Sequence, residues 1–322
     1  MPCFSPLHGW RSNTINPRTG KRAIVFDAKQ AFRDLHVTVP CGRCIGCRLE
    51  HSRQWAIRAT HEAALYDKNC FITLTYAPEH LPALGSIDPE APVLFMKRLR
   101  KKFGSGIRSY GCAEYGENFG RPHYHICLFN FDFPDKKLWK EMGPNKLYTS
   151  EDLQALWPFG FSSIGSLTFE SAAYVARYVT KKFTGKLANN HYQVLSPEGE
   201  ILGLRHPEKP VCVSRNPGLG APWLKKFKTD VYPSDSVVLR GKEMKPPKYY
   251  DRQYELENPS EFATLTKQRK MKFNKVKICR CYMVSILCIC TQPNAETQRL
   301  LARATCASAK LAQSKRKLEN DT

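Results

Sequence analysis

Between residues 48 and 66 the apolar positions Leu49, Trp55, Ala56, Ala59, Ala63 and Leu65 fit a helical period better than a strand period, with Arg53, Arg58 and Glu62 among the polar positions. The pattern predicts a helix. The period then changes: Cys70-Phe71-Ile72-Thr73-Leu74-Thr75-Tyr76 is rich in β-branched and aromatic residues and stops at Ala77-Pro78, which predicts a buried strand. Residues 92–103 read as a basic helix ending at Gly104, residues 107–115 as a second strand and 123–129 as a third. The Gly-Glu-Asn-Phe-Gly sequence between the last two predicts a hairpin. Within residues 135–157 a helix carrying Leu153, Leu156 and Trp157 is expected, ended by Pro158 before the apolar segment 159–167. Residues 171–182 form the next predicted helix.

The flanks are less regular. Residues 1–40 mix Pro, Gly, Asn and charge around one short apolar stretch, Ala23-Ile24-Val25-Phe26, read as a single strand in an irregular arm. Beyond Gly185 the chain is loop-rich, with Asn-Pro-Gly at 216–218 and Pro-Pro at 246–247, and after Phe262 it is strongly basic. The apolar, cysteine-rich run at 279–290, CRCYMVSILCIC, clashes with its flanks; its four cysteines could bind metal, but a poorly conforming tail or a shifted reading frame is the favoured reading. The expected organisation is an N-terminal arm and basic helix over 1–66, a core over 67–190, an extension over 191–262 and a basic, disordered tail over 263–322.

Composition narrows the partners. Fifty Lys and Arg against 29 Asp and Glu give a formal charge of +21, which makes nucleic acid the first partner to consider and a membrane surface its rival. No segment approaches the ~20 apolar residues of a spanning helix, and the N-terminus lacks the apolar core of a signal peptide, so a soluble, cytoplasmic protein is expected. Thirteen cysteines without an export signal favour thiols and metal ligands over a disulfide framework.

Two pairs of residues carry the candidate chemistry. His123 and His125 are separated by one residue on a predicted strand, so both imidazoles face the same side. The hairpin would bring Glu114 alongside them, completing two imidazoles and one oxygen, with Glu117 in the turn as the competing third ligand. Such a site suits a divalent ion that also holds a phosphate oxygen, manganese by its imidazoles or magnesium by abundance. Tyr174 and Tyr178, four apart, share one face of a predicted helix, flanked by Lys181 and Lys182. A phenol has a pKa near ~10, and adjacent cations or a metal-bound phosphate favour its nucleophilic phenolate. Alone, each pair fits ordinary packing; together, and in this order, they point to phosphoryl transfer.

In these motifs, Phe71-Ile72-Thr73-Leu74-Thr75-Tyr76, Gly120-Arg121-Pro122-His123-Tyr124-His125 and Tyr174-Val175-Ala176-Arg177-Tyr178-Val179-Thr180-Lys181-Lys182, the chain resembles the HUH endonucleases. Within them it is most similar to the replication initiators of the microviruses, small single-stranded-DNA phages, and to their gokushovirus branch. The resemblance covers roughly residues 1–230. It implies an α+β fold, with a central antiparallel sheet flanked by helices, the histidine hairpin in the sheet and the tyrosine helix packed opposite. It also implies rolling-circle initiation in the host cytoplasm. One tyrosine attacks origin DNA to leave a 5′-phosphotyrosine and a 3′-OH for the host polymerase, and the second cuts the regenerated origin so that the displaced strand is rejoined. A helicase partner would accompany this reaction.

Cys41-Gly42-Arg43-Cys44-Ile45-Gly46-Cys47 is a CxxCxxC run to which Cys3 could add a fourth thiolate, giving a structural Zn²⁺ site. An iron–sulfur cluster and unliganded thiols are the other readings. The nearby Arg43, Arg48, Arg53 and Arg58 are candidate DNA contacts, or solvated arginines on a helix. Three further functions compete with the nickase: a non-enzymatic single-stranded-DNA-binding or packaging protein, a metallohydrolase in which water attacks, and a transposase or relaxase of the same superfamily.

Overall fold

The structure, a computed structural model, describes residues 3–18, 20–116, 120–143, 145–179, 186–232, 234–277 and 295–319, with the side chains of residues 142, 145, 178, 179, 186, 187, 272–277, 295, 296 and 314–319 outside the description. The chain divides into two compact units, residues 51–275 and residues 1–50 with 276–322.

The smaller unit contains β1 (Leu7–Ile15), β2 (Arg22–Val25) and β3 (Ala31–Val39), which form a three-stranded antiparallel sheet of order β2-β1-β3. This corrects the reading of residues 1–40 as an arm with one strand. Polar and apolar residues are interspersed along β1 and β3 without a buried face, so no alternation marked them as strands. Helix α1 (Ile45–Ala63) follows, and from His51 onward it belongs to the larger unit.

The larger unit continues with β4 (Asn69–Tyr76), α2 (Ala91–Phe103), β5 (Arg108–Tyr115), β6 (Pro122–Phe129), β7 (Lys137–Met142), β8 (Asn145–Thr149), α3 (Glu151–Leu156), β9 (Gly160–Ser166) and α4 (Phe169–Val179). Then come α5 (Lys186–Tyr192), β10 (Gln193–Leu195), β11 (Ile201–Leu204), β12 (Lys209–Val211), α6 (Ala221–Val231), β13 (Val237–Leu239), β14 (Lys242–Met244), α7 (Lys248–Glu257) and α8 (Pro259–Lys277). Helix α9 (Ala295–Glu319) belongs to the smaller unit.

Seven strands make the main sheet, in the order β12-β5-β6-β4-β9-β8-β7 with every pairing antiparallel. The fold is therefore α+β, a large antiparallel sheet flanked by helices. Ile72, Leu74, Tyr124, Ile126 and Leu128 point to one face, where α2 packs through Phe95 and Leu99 and α3 through Leu153 and Leu156. On the other face Tyr110, Cys112, Cys127 and Phe129 meet Ala59 of α1 and Ala172, Val175 and Ala176 of α4. Strand β6 is buried on both faces, which is why its sequence reads as a nearly continuous apolar run broken only by its histidines. Burying a side chain such as Phe95 or Leu99 contributes ~1.5–3 kcal/mol, so the two faces together hold the sheet rigid beneath α1 and α4.

Two expectations are corrected here. The helix expected within residues 135–157 is confined to α3, because β7 and β8 form a hairpin before it. Ser150 starts α3 by accepting the Leu153 amide at 3.0 Å, so the helical spacing of Leu153 and Leu156 extends no further back. The loop-rich stretch after Gly185 also has ordered elements: β12 pairs with β5 at the sheet edge, with Lys209 opposite Ala113. Beyond it, Leu224 and Val231 of α6 and Tyr250 and Tyr254 of α7 form a third core with Ile57 of α1 and Leu265 of α8. The segment expected as a basic tail carries most of α8 and all of α9, while its 279–290 run lies outside the described residues.

Candidate functional site

The ladder between β5 and β6 places Glu114 opposite His123 and Cys112 opposite His125, and on the other side of β6 Thr75 and Thr73 stand opposite the same two histidines. Directly paired residues share a face, so Glu114, His123, His125, Thr73 and Thr75 line one polar patch at the end of the apolar layer beneath α4. Within that patch His125 Nε2 donates to Glu114 Oε1 at 2.7 Å. Its Nδ1 lies 3.0 Å from Thr73 Oγ1, and its ring stacks on Phe71 at 5.7 Å between centroids. The His123 Nδ1–H donates to the Arg121 carbonyl at 2.7 Å, which leaves Nε2 as the unprotonated nitrogen of the neutral ring. Burial is the main cause holding His123 below its usual pKa; the Arg121 carbonyl opposes it and nearby His125 reinforces it. The ring is therefore neutral near pH 7, the form that ligates metals.

Helix α4 begins with reciprocal capping, the Ser171 amide donating to Thr168 Oγ1 at 3.2 Å and the Thr168 amide to Ser171 Oγ at 2.8 Å. Ala172, Val175 and Ala176 then lie on the sheet, and the Ala173 carbonyl accepts a hydrogen bond from Ser52 of α1 at 3.0 Å. Tyr174 is thereby delivered to the polar patch: its hydroxyl donates to Glu114 Oε1 at 3.1 Å, and its ring meets His125 edge-on at 5.1 Å. Tyr178 follows one turn later on α4, with its side chain outside the described residues, as are Lys181, Lys182 and Glu117.

Three features bear on whether this patch suits a cation. Glu114 is buried, its Oε2 has no hydrogen-bond partner among the described residues, and leaving a buried carboxylate oxygen unpaired is costly. Glu114 Oε1 and His125 Nε2 face each other at 2.7 Å, two ligand-type atoms turned to the same point. His123 is set apart, its ring parallel to that of His125 with 6.4 Å between centroids. The orphaned oxygen and the two imidazoles are the donor types a divalent ion takes, although the ligand atoms of Glu114, His123 and His125 do not all lie within 4.8 Å of one another.

The structure also identifies residues that the sequence reading passed over. Thr73 orients His125, and its signal was present in the alternation of Phe71, Thr73 and Thr75 along β4, which puts all three on the histidine face. Gly116 is the second: a Cβ there would come within 2.8 Å of His123 Cε1, so only glycine leaves room for the ring.

The arginine candidates are divided between the two units. Arg58 is turned inward, its guanidinium held 4.2 Å from the Trp55 ring centroid and 4.0 Å from that of Tyr249, with Nε donating to the Leu219 carbonyl at 2.9 Å. These contacts hold the Arg58 side chain against α1, Leu219 and Tyr249 within the larger unit. Arg53 donates to the Lys245 carbonyl at 3.0 Å, while Arg43 and Arg48 belong to the smaller unit.

In that smaller unit Cys3, Cys41, Cys44 and Cys47 converge, their sulfurs all within 4.8 Å of one another. Burial acts to raise the Cys44 thiol, yet the Phe4 and Cys47 amides outweigh it and bring it down to about 6, whereas burial pushes Cys47 up to about 12. Among the described residues this is the one group of three or more metal-ligating side chains drawn so close together.

Comparison with known proteins adds an independent line. A family model described as replication-associated protein ORF2/G2P matches residues 69–183, the stretch from β4 to the end of the tyrosine motif. The chain is 39% identical over 241 residues to the replication-associated protein ORF2 of Spiroplasma virus 4, covering 70% of each. It is 34% identical over 287 residues to the replication-associated protein VP4 of Bdellovibrio phage phiMH2K, covering 84% of this chain and 83% of that one. A third relative, the replication-associated protein ORF4 of Chlamydia phage 1, is 30% identical over 175 residues. No solved structure matches. No described helix is long and apolar enough to cross a membrane.

Proposed function

The chain belongs to the replication-associated proteins of single-stranded-DNA phages, and on that premise we propose that it is an HUH-type nickase that initiates rolling-circle replication. The observation that carries this reading is the convergence of Tyr174 with Glu114 and His125 at one end of the sheet. A phenol held against a buried carboxylate and beside two imidazoles is an arrangement for nucleophilic attack on a metal-bound phosphate.

In the proposed reaction a tyrosine oxygen bonds to the scissile phosphorus as the P–O3′ bond breaks, and the proton lost by the phenol ends on the departing 3′ oxygen. The products are a 5′-phosphotyrosine and a 3′-OH from which a host polymerase extends, with a helicase opening the duplex ahead. Because the phosphotyrosine keeps the energy of the broken ester, attack by a later 3′-OH rejoins the displaced strand without ATP. Tyr174 and Tyr178 share the two cuts, and Lys181 and Lys182 lie on the same stretch of sequence to offset phosphate charge. Glu114, His123 and His125 would hold Mg²⁺ or Mn²⁺, which draws charge from the scissile phosphate. Thr73 and the Arg121 carbonyl orient the two imidazoles.

The test is to incubate the purified chain and Mn²⁺ with end-labelled single-stranded oligonucleotides tiled across the replicon that encodes it. An SDS-resistant adduct is expected, absent from the joint Tyr174→Phe, Tyr178→Phe variant. An adduct that survives the joint change would overturn the mechanism. Cleavage without an adduct would assign the attack to water, and binding without cleavage would leave a coating or packaging role.

A further inference from the structure

Among its described residues, the smaller unit has almost no apolar interior. Leu7, Ile15, Ile24, Phe26, Phe32 and Leu35 of its sheet region are all exposed, between 41% and 56%. A three-stranded sheet that buries so little cannot hold its shape by hydrophobic burial alone, and small folds of this kind are commonly stapled by a metal or by disulfides. Cys3, Cys41, Cys44 and Cys47 are free thiols, with sulfur separations of 3.8 Å for Cys3–Cys41 and 3.9 Å for Cys3–Cys44, well beyond the ~2.05 Å of a disulfide bond.

Those separations have a simple meaning. A tetrahedral ion with Zn–S bonds of ~2.3 Å places its sulfurs ~3.8 Å apart along each edge. A four-iron cluster spreads its cysteine sulfurs farther, because each binds a different iron. The backbone is arranged around the sulfurs as well: the Phe4 amide donates to Cys44 Sγ at 3.2 Å, the Arg43 and Cys44 amides to Cys41 Sγ at 3.4 and 3.3 Å, and the Cys41 amide to Cys3 Sγ at 3.4 Å. Such N–H donors offset the charge that four thiolates around a divalent ion would carry.

We propose that Cys3, Cys41, Cys44 and Cys47 form a closed, structural Zn²⁺ site that organises the N-terminal unit. The ladder explains how Cys3 reaches a motif that begins 38 residues later: β1 and β3 pair with Leu7 opposite Val39, so the residues just before β1 and just after β3 are brought side by side. Cys44 and Cys47 come from the entry to α1, so one ion would tie the first strand, the third strand and the helix together. Binding forms four Zn–S bonds and releases to solvent the protons of those cysteines that are still thiols. With all four positions taken by thiolates no site remains for water or phosphate, which separates this ion from phosphoryl transfer.

The test is metal analysis of the full chain purified without chelators, beside two variants, Cys44→Ser with Cys47→Ser and His123→Ala with His125→Ala. About one tightly held zinc per chain is expected in the wild type and in the histidine variant, and close to none in the cysteine variant. Should the cysteine variant fail to fold, the wild type decides alone: titration with a mercurial should release its zinc as thiols are consumed, and Co²⁺ exchange should give the intense sulfur-to-cobalt absorption of a tetrathiolate. Wild type that neither retains nor takes up zinc would overturn the proposal. So would zinc retained by a folded cysteine variant, iron in its place, or disulfides among these cysteines.

Discussion

Thr73 Oγ1 and His125 Nδ1 lie 3.0 Å apart across the β4–β6 ladder, on the side of the imidazole opposite to Glu114. A ring that ligated a cation through Nε2, beside the carboxylate, would carry its proton on Nδ1 and donate it to Thr73 Oγ1, so the threonine sets both the ring's angle and the tautomer that can ligate. Replacing Thr73 by Val keeps the shape and removes this control. Mn²⁺ affinity, read by titrating adduct formation with the ion, should fall ~10–100-fold, and Thr73→Ser should recover most of it. Equal Mn²⁺ dependence in wild type and Thr73→Val would show that the hydroxyl orients nothing.

Gly116 offers a steric test of the same site. A methyl group there would lie 2.8 Å from His123 Cε1, so Gly116→Ala must displace the imidazole or the turn that holds it. Nicking should drop ~10–100-fold with little change in melting temperature, because the strain falls on a ring at the site and not on the apolar layers. A variant as active as the wild type would mean that His123 takes its working position elsewhere.

The buried Tyr110 hydroxyl has no hydrogen-bond partner among the described residues, although its ring stacks flat on Trp55 at 4.9 Å. Removing a buried, unsatisfied hydroxyl relieves a desolvation cost of ~1–3 kcal/mol, so Tyr110→Phe should stabilise the larger unit by ~1 kcal/mol in denaturant unfolding. A loss of stability on this change would reveal a partner for the hydroxyl.

His61 supplies a pH dependence. It is buried against Trp223, with 3.6 Å between ring centroids, and its Nδ1 lies 3.0 Å from the Tyr250 hydroxyl. Burial holds its pKa down to about 4. The unfolded chain, with a histidine pKa of ~6.5, takes up the proton first as pH falls. The native state is therefore favoured fully above pH ~6.5 and loses up to ~3 kcal/mol as the pH drops from there towards 4. His61→Phe should flatten the stability profile over this window when unfolding is followed at successive pH values. Identical slopes in the two proteins would show that His61 is protonated in the fold.

Much of the site was legible locally. The two-residue period of a strand puts His123 and His125 on one face whatever surrounds them, and the glycines flanking the turn predict the hairpin that sets Glu114 opposite His123. The helical period likewise predicts from sequence that Tyr174 and Tyr178 fall one turn apart on a helix. These features depend on neighbours in the chain, and neighbours are visible in sequence. The expected helix over residues 135–157 shows the limit, since edge strands such as β7 bury too little for their period to register.

Tertiary structure alone decided which groups meet. Setting Tyr174 against the Glu114–His125 pair requires α4 to lie across the sheet, and that placement comes from Ala172, Val175 and Ala176 packing against residues of β5 and β6. The inward turn of Arg58 depends on Tyr249, far along the chain, and the meeting of Cys3 with Cys41 depends on the pairing of β1 with β3. Sequence determined the chemical types, their order and their faces, because those follow from the backbone's local period. The distances between them arise from the burial and pairing of remote segments, which no local pattern encodes.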